Sequence, residues 1–263
     1  MRDVAKVVKR RLNEGMYDFD YSNSIDSGDE YVRGRERKEN DRQERIANLK
    51  SRYDTVDTLE NGLTIITNER GKYNLISPDG YLIFDRWFDF IGNFKNGYGK
   101  IQAVSQSQHR ILNNFIDKNG NLVSDDKWFD EIGSFHEGLA RVKINKKWNF
   151  IATNGKIISD EWFDGVSNFK DGYAIVCVCE DLIHRMKNVI NSNGKFMLDD
   201  WQDYCCPNNN GEIMVMRRTG TGLQYGKYDS NGRFNGKWRD VDRGSAEWKL
   251  FFARQDRVYN MYF

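Results

Sequence analysis

Short stretches of alternating apolar and polar residues recur along most of the chain, and each stretch begins just after a glycine. In residues 138–144, the side chains of Ala140, Val142 and Ile144 fall on one face of an extended strand while polar side chains take the other face. Residues 172–178 repeat the same alternation. This pattern predicts half-buried β-strands rather than helices.

The strands belong to a repeating unit with fixed landmarks. Each copy has an Asn-Gly or Asp-Gly turn, then an aromatic–acid element such as Trp-Phe-Asp, and then a second glycine that opens an alternating strand. The turn glycines are Gly80, Gly120, Gly155, Gly194 and Gly232, and the acids are Asp89, Asp130, Asp164, Asp203 and Asp240. The second glycines are Gly97, Gly138, Gly172 and Gly211, with Trp248 at that place in the fifth copy. Successive acids are 41, 34, 39 and 37 residues apart, which is the period of a β-repeat.

Each copy therefore predicts a strand, a tight hairpin turn, a second strand and a third strand. A three-stranded unit of this length cannot bury its own apolar face. The copies must stack on one another, so that the core lies between units rather than inside them.

The two ends of the repeat region predict how the array closes. Residues 52–66 match the second half of a copy, and residues 257–263 match the first strand of a copy, so five whole copies are flanked by a sixth that is divided between the termini. We predict a closed, propeller-like ring of six three-to-four-stranded units, the last shared by both termini, because closure removes two strand edges. The residues predicted to close the ring are Tyr53, Leu63, Ile65, Tyr259, Met261 and Phe263. An open β-solenoid-like array is the alternative.

Residues 146–176 resemble the bacterial WG-containing repeat, in which a Trp-Gly pair, an Asp-x-x-Gly-Lys turn, a Tyr-Asp element and a Phe-x-x-Gly-Leu-Ala-x-Val strand follow in order. The resemblance extends over about residues 53–263 and is that of a diverged member. Only Tyr225-Gly226 keeps the glycine of the Trp-Gly pair, and the other copies carry asparagine there. The resemblance implies a β-repeat scaffold that interacts with proteins, and it implies no catalytic residue.

The arm, residues 1–52, shares nothing with the repeat and forms a separate region before the repeat domain of residues 53–263. Its pattern predicts a basic helix over 1–16, an acidic and aromatic extended segment over 17–32, and a charged helix over 33–52. Apolar anchors spaced along a charged arm suit docking on a protein partner. The predicted partner-binding residues are Val4, Val7, Val8, Leu12, Tyr17, Phe19, Tyr21, Ile25 and Tyr31.

Composition narrows the classes of partner. The net charge of +1 gives no general attraction to nucleic acid or to anionic membranes, and the four acids of the Arg-rich segment 33–52 would repel phosphates. No apolar run is long enough to span a bilayer and no signal peptide is evident, so we expect a cytoplasmic protein or one inside an assembled particle. Four cysteines do not make a disulfide framework.

The candidate chemical groups favour packing over catalysis. An acid that recurs at one position in every unit is typical of a hydrogen bond to backbone at a turn, and not of a general acid–base pair. The adjacent aromatic residues predict packing between units, and the CxC and CC pairs lack the spacing of a zinc knuckle. The three histidines have no common spacing. We therefore expect neither catalytic nor metal-binding nor cofactor-binding residues.

These observations predict a non-enzymatic structural scaffold, in which a β-repeat ring is docked by its N-terminal arm into a larger multi-subunit assembly. The expected partners are proteins that contact the arm and the ring loops, and several copies of this chain could share one complex. A component of a bacterial or phage particle fits that layout. The alternative is a carbohydrate-binding or glycan-processing propeller, which requires exposed aromatic and acidic clusters on one face of the ring.

Overall fold

A computed structural model describes residues 27–105, 109–125, 127–179 and 185–246, together with residues 248, 249, 251, 253 and 262. In this part of the chain a long α-helix precedes an all-β structure of sixteen short strands. The helix, α1, is Ser27–Arg52. The strands are β1 (Asp54–Thr58), β2 (Thr64–Thr67), β3 (Tyr73–Ile76), β4 (Phe90–Ile91), β5 (Tyr98–Ser105), β6 (Arg110–Asp117), β7 (Glu131–His136), β8 (Leu139–Ile144), β9 (Lys147–Ala152), β10 (Gly165–Val166), β11 (Tyr173–Cys179), β12 (Arg185–Asn191), β13 (Tyr204–Pro207), β14 (Ile213–Thr219), β15 (Gly222–Tyr228) and β16 (Arg239–Val241).

The strands form five small antiparallel sheets, and within each sheet the strands are neighbours in chain order. The sheets are β1-β2-β3, β4-β5-β6, β7-β8-β9, β10-β11-β12 and β13-β14-β15-β16. Sequential antiparallel pairing needs only short hairpin connections, which agrees with the glycine-rich turns of the sequence. The prediction of an all-β repeat built from small units is confirmed.

The aromatic–acid element joins one sheet to the next. Phe163 exchanges two backbone hydrogen bonds with Trp148 of β9, at 2.7 and 2.9 Å, and the N–H of the following Asp164 then donates to the carbonyl of Cys177 in β11 at 2.9 Å. Equivalent bridges connect Tyr73 with Phe88, Asn113 with Phe129 and Lys187 with Gln202. The chain thus pairs first with the strand behind it and then with the strand ahead, so consecutive units are joined through backbone as well as through side chains.

The turn glycines allow neighbouring units to approach closely. Gly155 and Gly194 have φ values of 79° and 81°, in the left-handed region that side chains with a Cβ rarely adopt. A Cβ at Gly155 would collide with the carbonyl oxygen of Val123, and one at Gly194 with that of Ile158. Both carbonyls belong to the preceding unit, at the third residue after its own turn glycine. Each glycine is therefore required twice, by its backbone conformation and by the contact.

The core lies at the junctions between units, as stacking requires. One buried cluster combines Trp148 and Phe150 of β9 with Phe163, Ala174 and Val176 of the following segment, and the exposed fraction of each of these side chains is 2% or less. Three further clusters follow the same principle along the array. Burial of such aromatic and branched side chains supplies most of the free energy that holds one unit to the next.

The structure departs from the predicted ring closure at Tyr262. Its backbone exchanges hydrogen bonds with Val166 in β10, at 2.8 and 3.0 Å, and not with β1 as the divided copy predicts. Tyr259, Met261 and Phe263, the other predicted closing residues of this end, lie outside the described residues. Of the N-terminal set, Tyr53 packs against Trp87 with ring centroids 5.0 Å apart. Leu63 and Ile65 are buried in the cluster that joins the first sheet to the second.

Two further predictions of local structure are wrong. The fifth copy does not form a strand at Trp248, because Ser245 begins a helical turn there. The Ser245 Oγ accepts a hydrogen bond from the Trp248 N–H at 3.2 Å, and the Ser245 carbonyl accepts one from the Lys249 N–H at 3.0 Å. The predicted extended segment 17–32 also fails over residues 27–32, which are helical. The prediction at Trp248 followed the repeat register, and the prediction for residues 27–32 followed the aromatic content. Both gave too little weight to local helix signals.

Candidate functional site

The N-terminal arm is the region that sequence analysis singles out for binding, and its described part is α1. Of the nine predicted partner-binding residues, Tyr31 lies on this helix, with 57% of its side chain exposed and the Arg35 guanidinium 5.3 Å from its ring centroid. Val4, Val7, Val8, Leu12, Tyr17, Phe19, Tyr21 and Ile25 lie outside the described residues.

The C-terminal half of α1 is fixed to the turn at residues 77–80 of the repeat domain. The Arg42 Nε donates to the carbonyl oxygen of Pro78 at 2.7 Å, and the Arg45 Nε donates to that of Asp79 at 3.2 Å. The Arg45 guanidinium also lies 4.8 Å from the ring centroid of Tyr81. Arg42 and Arg45 point to the same side of the helix, so one stripe makes the contact.

Helix α1 occupies the place that a preceding repeat unit takes elsewhere in the array. A Cβ on Gly80 would lie 3.0 Å from the Cβ of Arg45 and from the Cγ1 of Ile46. At Gly155 the corresponding neighbour is the backbone of the unit before it. The helix thus covers the end of the array, where an uncovered unit would expose its stacking surface.

The N-terminal half of α1 is largely exposed. Residues 30–41 are exposed except for Gly34, which is half-buried. The exposed side chains include Tyr31 and Val32, of which Val32 is 51% exposed. This half of the helix therefore exposes two large apolar side chains within the described part of the chain. Sequence periodicity could not show this, because its apolar residues are too few to define a buried face.

The recurring aspartates fasten the tips of hairpins. In four of the five, one carboxylate oxygen accepts a hydrogen bond from the backbone N–H fifteen residues later. The pairs are Asp89 with Val104 (2.7 Å), Asp130 with Asn145 (2.7 Å), Asp164 with Cys179 (2.9 Å) and Asp203 with Arg218 (2.7 Å). The predicted role of these acids, a hydrogen bond to backbone at a turn, is confirmed.

Basic side chains complete the aspartate sites. The Lys147 Nζ lies 2.5 Å from the second oxygen of Asp164, and Lys72 forms the same ion pair with Asp89. Burial by itself would raise the pKa of the Asp164 carboxyl, but the hydrogen bonds from Lys147 and from the Cys179 N–H outweigh it, so that the pKa lies below its usual value. The pKa of Asp89 is lowered by the same balance. These carboxylates stay ionised and bound, which suits a structural role.

Sequence analysis found the recurring asparagines but assigned them no role, and the structure supplies one. The buried Asn149 side chain accepts a hydrogen bond from the Phe150 N–H at 2.7 Å and donates to the carbonyls of Ser159 and Glu161, at 2.8 and 2.9 Å. The side chain thereby provides hydrogen-bond partners for backbone groups that are not paired with a neighbouring strand. Asn74, Asn114 and Asn188 make corresponding bonds.

The fifth unit replaces this asparagine with Gly226 and fills the space with aromatic rings. A Cβ at Gly226 would lie 2.7 Å from the Phe234 ring and 3.2 Å from that of Trp238. The polar connection of the other units therefore becomes an aromatic one. The glycine of the Tyr225-Gly226 pair is needed here because the rings lie against the backbone.

The aromatic residues beside the aspartates pack between units, as predicted. Phe88, Phe129 and Phe163 are fully buried. The neighbouring tryptophans are half-buried against other rings, as at Trp128 on Phe88 (6.3 Å) and Trp201 on Phe196 (5.7 Å). With their acids bound to backbone, these pairs do not form the exposed aromatic and acidic clusters that carbohydrate binding requires.

The cysteines are mostly buried thiols. Cys177, Cys205 and Cys206 are buried, whereas Cys179 at the end of β11 is exposed. Burial raises the pKa of the Cys177 thiol to about 12, and it raises that of Cys205 as well. Such thiols stay protonated and unreactive at neutral pH. Across the described residues, no three His, Cys, Asp or Glu side chains come together as metal ligands.

Helix α1 carries too many charged residues to span a membrane. Within the described part of the chain, no helix is both long enough and apolar enough to cross a bilayer.

Comparison with known proteins identifies the repeat. Residues 115–148 and 150–178 match the sequence profile of the WG containing repeat, so two adjacent copies in the middle of the array carry the family pattern. These residues include the buried cluster between β9 and β11 described above. Among curated proteins, none matches the chain.

The solved structures that resemble this chain have low sequence identity and low TM-scores. A crystal structure of the eukaryotic initiation factor has 9% identity and a TM-score of 0.33, and the similarity covers 72% of this chain and 54% of that one, about half its length. The β-propeller domain of the Trilobed protease from Pyrococcus furiosus has 9% identity and a TM-score of 0.32 over 78% of this chain and 71% of that chain. A protein of unknown function from Bacteroides caccae has 13% identity and a TM-score of 0.23 over 77% and 84%.

Proposed function

We propose that this chain, a member of the WG-containing repeat family, is a non-enzymatic protein-interaction scaffold whose N-terminal arm docks it into a larger multi-subunit assembly. The observation that carries the proposal is the state of α1. Its C-terminal half is bound to the repeat domain through Arg42 and Arg45, while its N-terminal half exposes Tyr31 and Val32.

A helix held at one end is a suitable docking element. The contacts at Pro78 and Asp79 fix where the helix leaves the repeat domain, so less conformational freedom is lost when a partner binds the exposed half. Tyrosine is among the residues that carry most binding energy at protein interfaces. The repeat domain then acts as the rigid body that the arm positions.

The biological setting and the ring remain predictions. A bacterial or phage particle suits a repeat body with a docking arm. Closure into six units would use the outer edge of β1, whose five residues are all exposed and which pairs, within the described residues, with β2 alone. An uncovered strand edge of this kind can accept a further strand.

The proposal is tested by the size of the complex that contains this chain in a native extract. We expect the full chain to sediment with a large complex. Removal of residues 1–26, or the double substitution Tyr31→Ser with Val32→Ser, should shift it to the monomer fraction, because both remove apolar docking groups. Lys38→Gln, which changes an exposed side chain on the same half of α1, should leave sedimentation unchanged.

Two results contradict the proposal. One is a full chain that sediments as a monomer, and the other is a shortened or doubly substituted chain that stays with the large complex. Circular dichroism of each variant checks that α1 and the sheets are still formed, so that loss of association is not confused with unfolding.

A further inference from the structure

A cavity of about 250 Å³ lies between two neighbouring units, where the β4–β5 hairpin meets the β7–β8 hairpin. Three basic side chains line it: Lys95 and Lys100 from the first hairpin and Arg141 from the second. Tyr98 and Ser134 add hydroxyl groups to the wall, and no aspartate or glutamate lines it. Three cations around one cavity without a carboxylate in its wall repel one another and favour an anion.

Arg141 is the side chain that most needs a partner. Its Nε and Nη1 atoms are buried and find no hydrogen-bond acceptor in the described part of the chain. The guanidinium carbon lies 3.1 Å from the ring centroid of Tyr262, so one face of the group is covered. Stacking on a ring does not satisfy the N–H bonds, because they lie in the guanidinium plane. A buried donor without an acceptor is costly, and native structures usually satisfy it with water or an ion.

The backbone leaves room for this arrangement at Gly133. A Cβ there would lie 2.7 Å from the Cγ of Arg141 and 3.1 Å from its Nε. Gly133 has no left-handed φ value that would by itself require glycine. The absence of a side chain at Gly133 therefore allows Arg141 to lie against the cavity wall.

The nearby Glu131 carboxylate attracts both Lys100 and Arg141, but its single negative charge is shared with Lys143 and does not balance these cations. Glu131 forms an ion pair with Lys143, with 2.9 Å between Oε1 and Nζ. Burial lowers the pKa of both Lys100 and Arg141, which shows that these cations have lost part of their hydration. Lys95, Lys100 and Arg141 thus remain as an excess of positive charge at the junction.

We propose that this cavity binds the phosphate group of a small anion and thereby joins the two units. A phosphate carries between one and two negative charges at neutral pH and offers several acceptor oxygens, so it balances more of the three cations than a single carboxylate can. The volume lies below the roughly 300–1,000 Å³ usual for drug-sized ligands, which limits the occupant to a small molecule. The Tyr98 and Phe135 rings provide a wall for an organic part, if the phosphate carries one.

The experiment measures anion binding by isothermal titration calorimetry with the full chain, at constant ionic strength maintained with sodium chloride. Inorganic phosphate and glycerol 3-phosphate are the two phosphate probes, and acetate is the carboxylate control. We expect saturable binding of phosphate and clearly weaker binding of acetate. Tighter binding of glycerol 3-phosphate than of inorganic phosphate identifies an organic phosphate as the ligand, and the reverse order identifies free phosphate.

The variants separate this cavity from general surface charge. Lys100→Gln and Arg141→Gln should each weaken phosphate binding by about tenfold or more, because each removes a charge-assisted hydrogen bond. Lys95→Gln, on an exposed hairpin, should weaken binding by about threefold without disturbing the core. Lys156→Gln, an exposed lysine on another turn, should change nothing.

Any of three results overturns the proposal: no saturable phosphate binding at constant ionic strength, equal binding of acetate and phosphate, or unchanged binding in Lys95→Gln and Lys100→Gln. If Arg141→Gln fails to fold, the two lysine variants still decide the outcome. The site does not depend on the arm, so phosphate binding must survive removal of residues 1–26.

Discussion

Two kinds of junction in this molecule use the same element, a turn glycine, in different ways. Between repeat units, Gly155 brings two backbones together and leaves no space between it and the carbonyl of Val123. At the N-terminal end, Gly80 meets α1 instead, where a Cβ would lie 3.0 Å from the Cβ of Arg45 and 3.1 Å from the backbone N of Ile46. The first contact is the tighter one, because a Cβ at Gly155 would lie only 2.2 Å from the Val123 carbonyl oxygen.

The difference indicates how firmly each junction is fixed. Val123 is held in place by the hydrogen bond from its own N–H to the Phe115 carbonyl, at 2.9 Å, so the junction at Gly155 tolerates little change. The contacts of α1 through Arg42 and Arg45 are partly exposed to water, which can replace them when the helix moves. We expect the array to be rigid and the helix to be the part that can separate from it.

The largest expected effect tests this contrast through three glycines with similar φ values. Gly155→Ala should lower the free energy of unfolding by about 3–4 kcal/mol, since it adds left-handed strain to a collision with a carbonyl. Gly80→Ala should cost about 2 kcal/mol, because the nearest atoms of α1 lie 3.0 Å from the added Cβ and a small shift of the helix relieves the contact. Gly97→Ala, where a Cβ meets nothing within 4 Å, should cost about 1 kcal/mol. Urea denaturation of the full chain measures all three.

The order of the three values matters more than their size. Equal losses for Gly155→Ala and Gly97→Ala would mean that the junction between units can relax. A loss at Gly80→Ala as large as that at Gly155→Ala would mean that α1 is fixed as firmly as a repeat unit.

An intermediate effect concerns the ion pairs that fasten the hairpins. Asp164→Asn should lower the free energy of unfolding by about 1 kcal/mol at pH 7, because it removes the charge that binds Lys147 and the Cys179 N–H. Asp160→Asn, which changes an exposed acid in the same unit, is the matched control and should have little effect.

The stabilisation of the folded state by the Asp164 carboxylate should decrease as the pH falls. The folded protein holds the pKa of this carboxyl below its value in the unfolded chain. Its contribution is therefore fully present above the unfolded pKa of about 4 and is lost as pH falls through the folded pKa. Urea midpoints of the wild type and Asp164→Asn should converge below about pH 4. A difference that is constant down to pH 2.5 would contradict the ion pair.

The smallest expected effect is at α1. Arg42→Ala should weaken the docking of the helix by about 1 kcal/mol, the worth of one hydrogen bond, and leave the sheets intact. Hydrogen exchange should become several-fold faster at amides of α1 and stay unchanged in β8 and β11. Lys38→Ala, on the exposed half of the helix, is the control. Faster exchange in the sheets would show that α1 is part of the cooperative array.

Much of the repeat could be predicted from sequence because its determinants are local. A left-handed turn needs glycine or asparagine, and alternation needs only neighbouring residues, so the hairpin turns at Gly138 and Gly172 and the strands after them were found correctly. The hydrogen bonds of Asp130 and Asp164 followed from their recurrence. The role of Asn149 was missed, since it binds carbonyls ten and twelve residues away, across a turn.

The ends and the candidate sites could not be predicted because they depend on long-range contacts. Nothing near Arg42 in sequence indicates Pro78, which is 36 residues away. The bridge from Val166 to Tyr262 joins segments that the repeat pattern keeps apart. The basic cavity arises only when the hairpin with Lys100 packs beside the hairpin with Arg141. Considered one at a time in the sequence, these positions look like ordinary surface charges or ordinary strand residues.

The contact of each turn glycine has a direction, and this bears on biosynthesis. Gly155 rests on Val123 and Gly194 on Ile158, so every unit packs on a surface that the ribosome has already released. The array can therefore assemble unit by unit as it is translated, starting on α1, without waiting for later sequence. The bridge at Tyr262 differs, since it forms only after residue 262 is made. Translation order and stacking order coincide along the array, which shortens the time that any stacking surface stays exposed to aggregation.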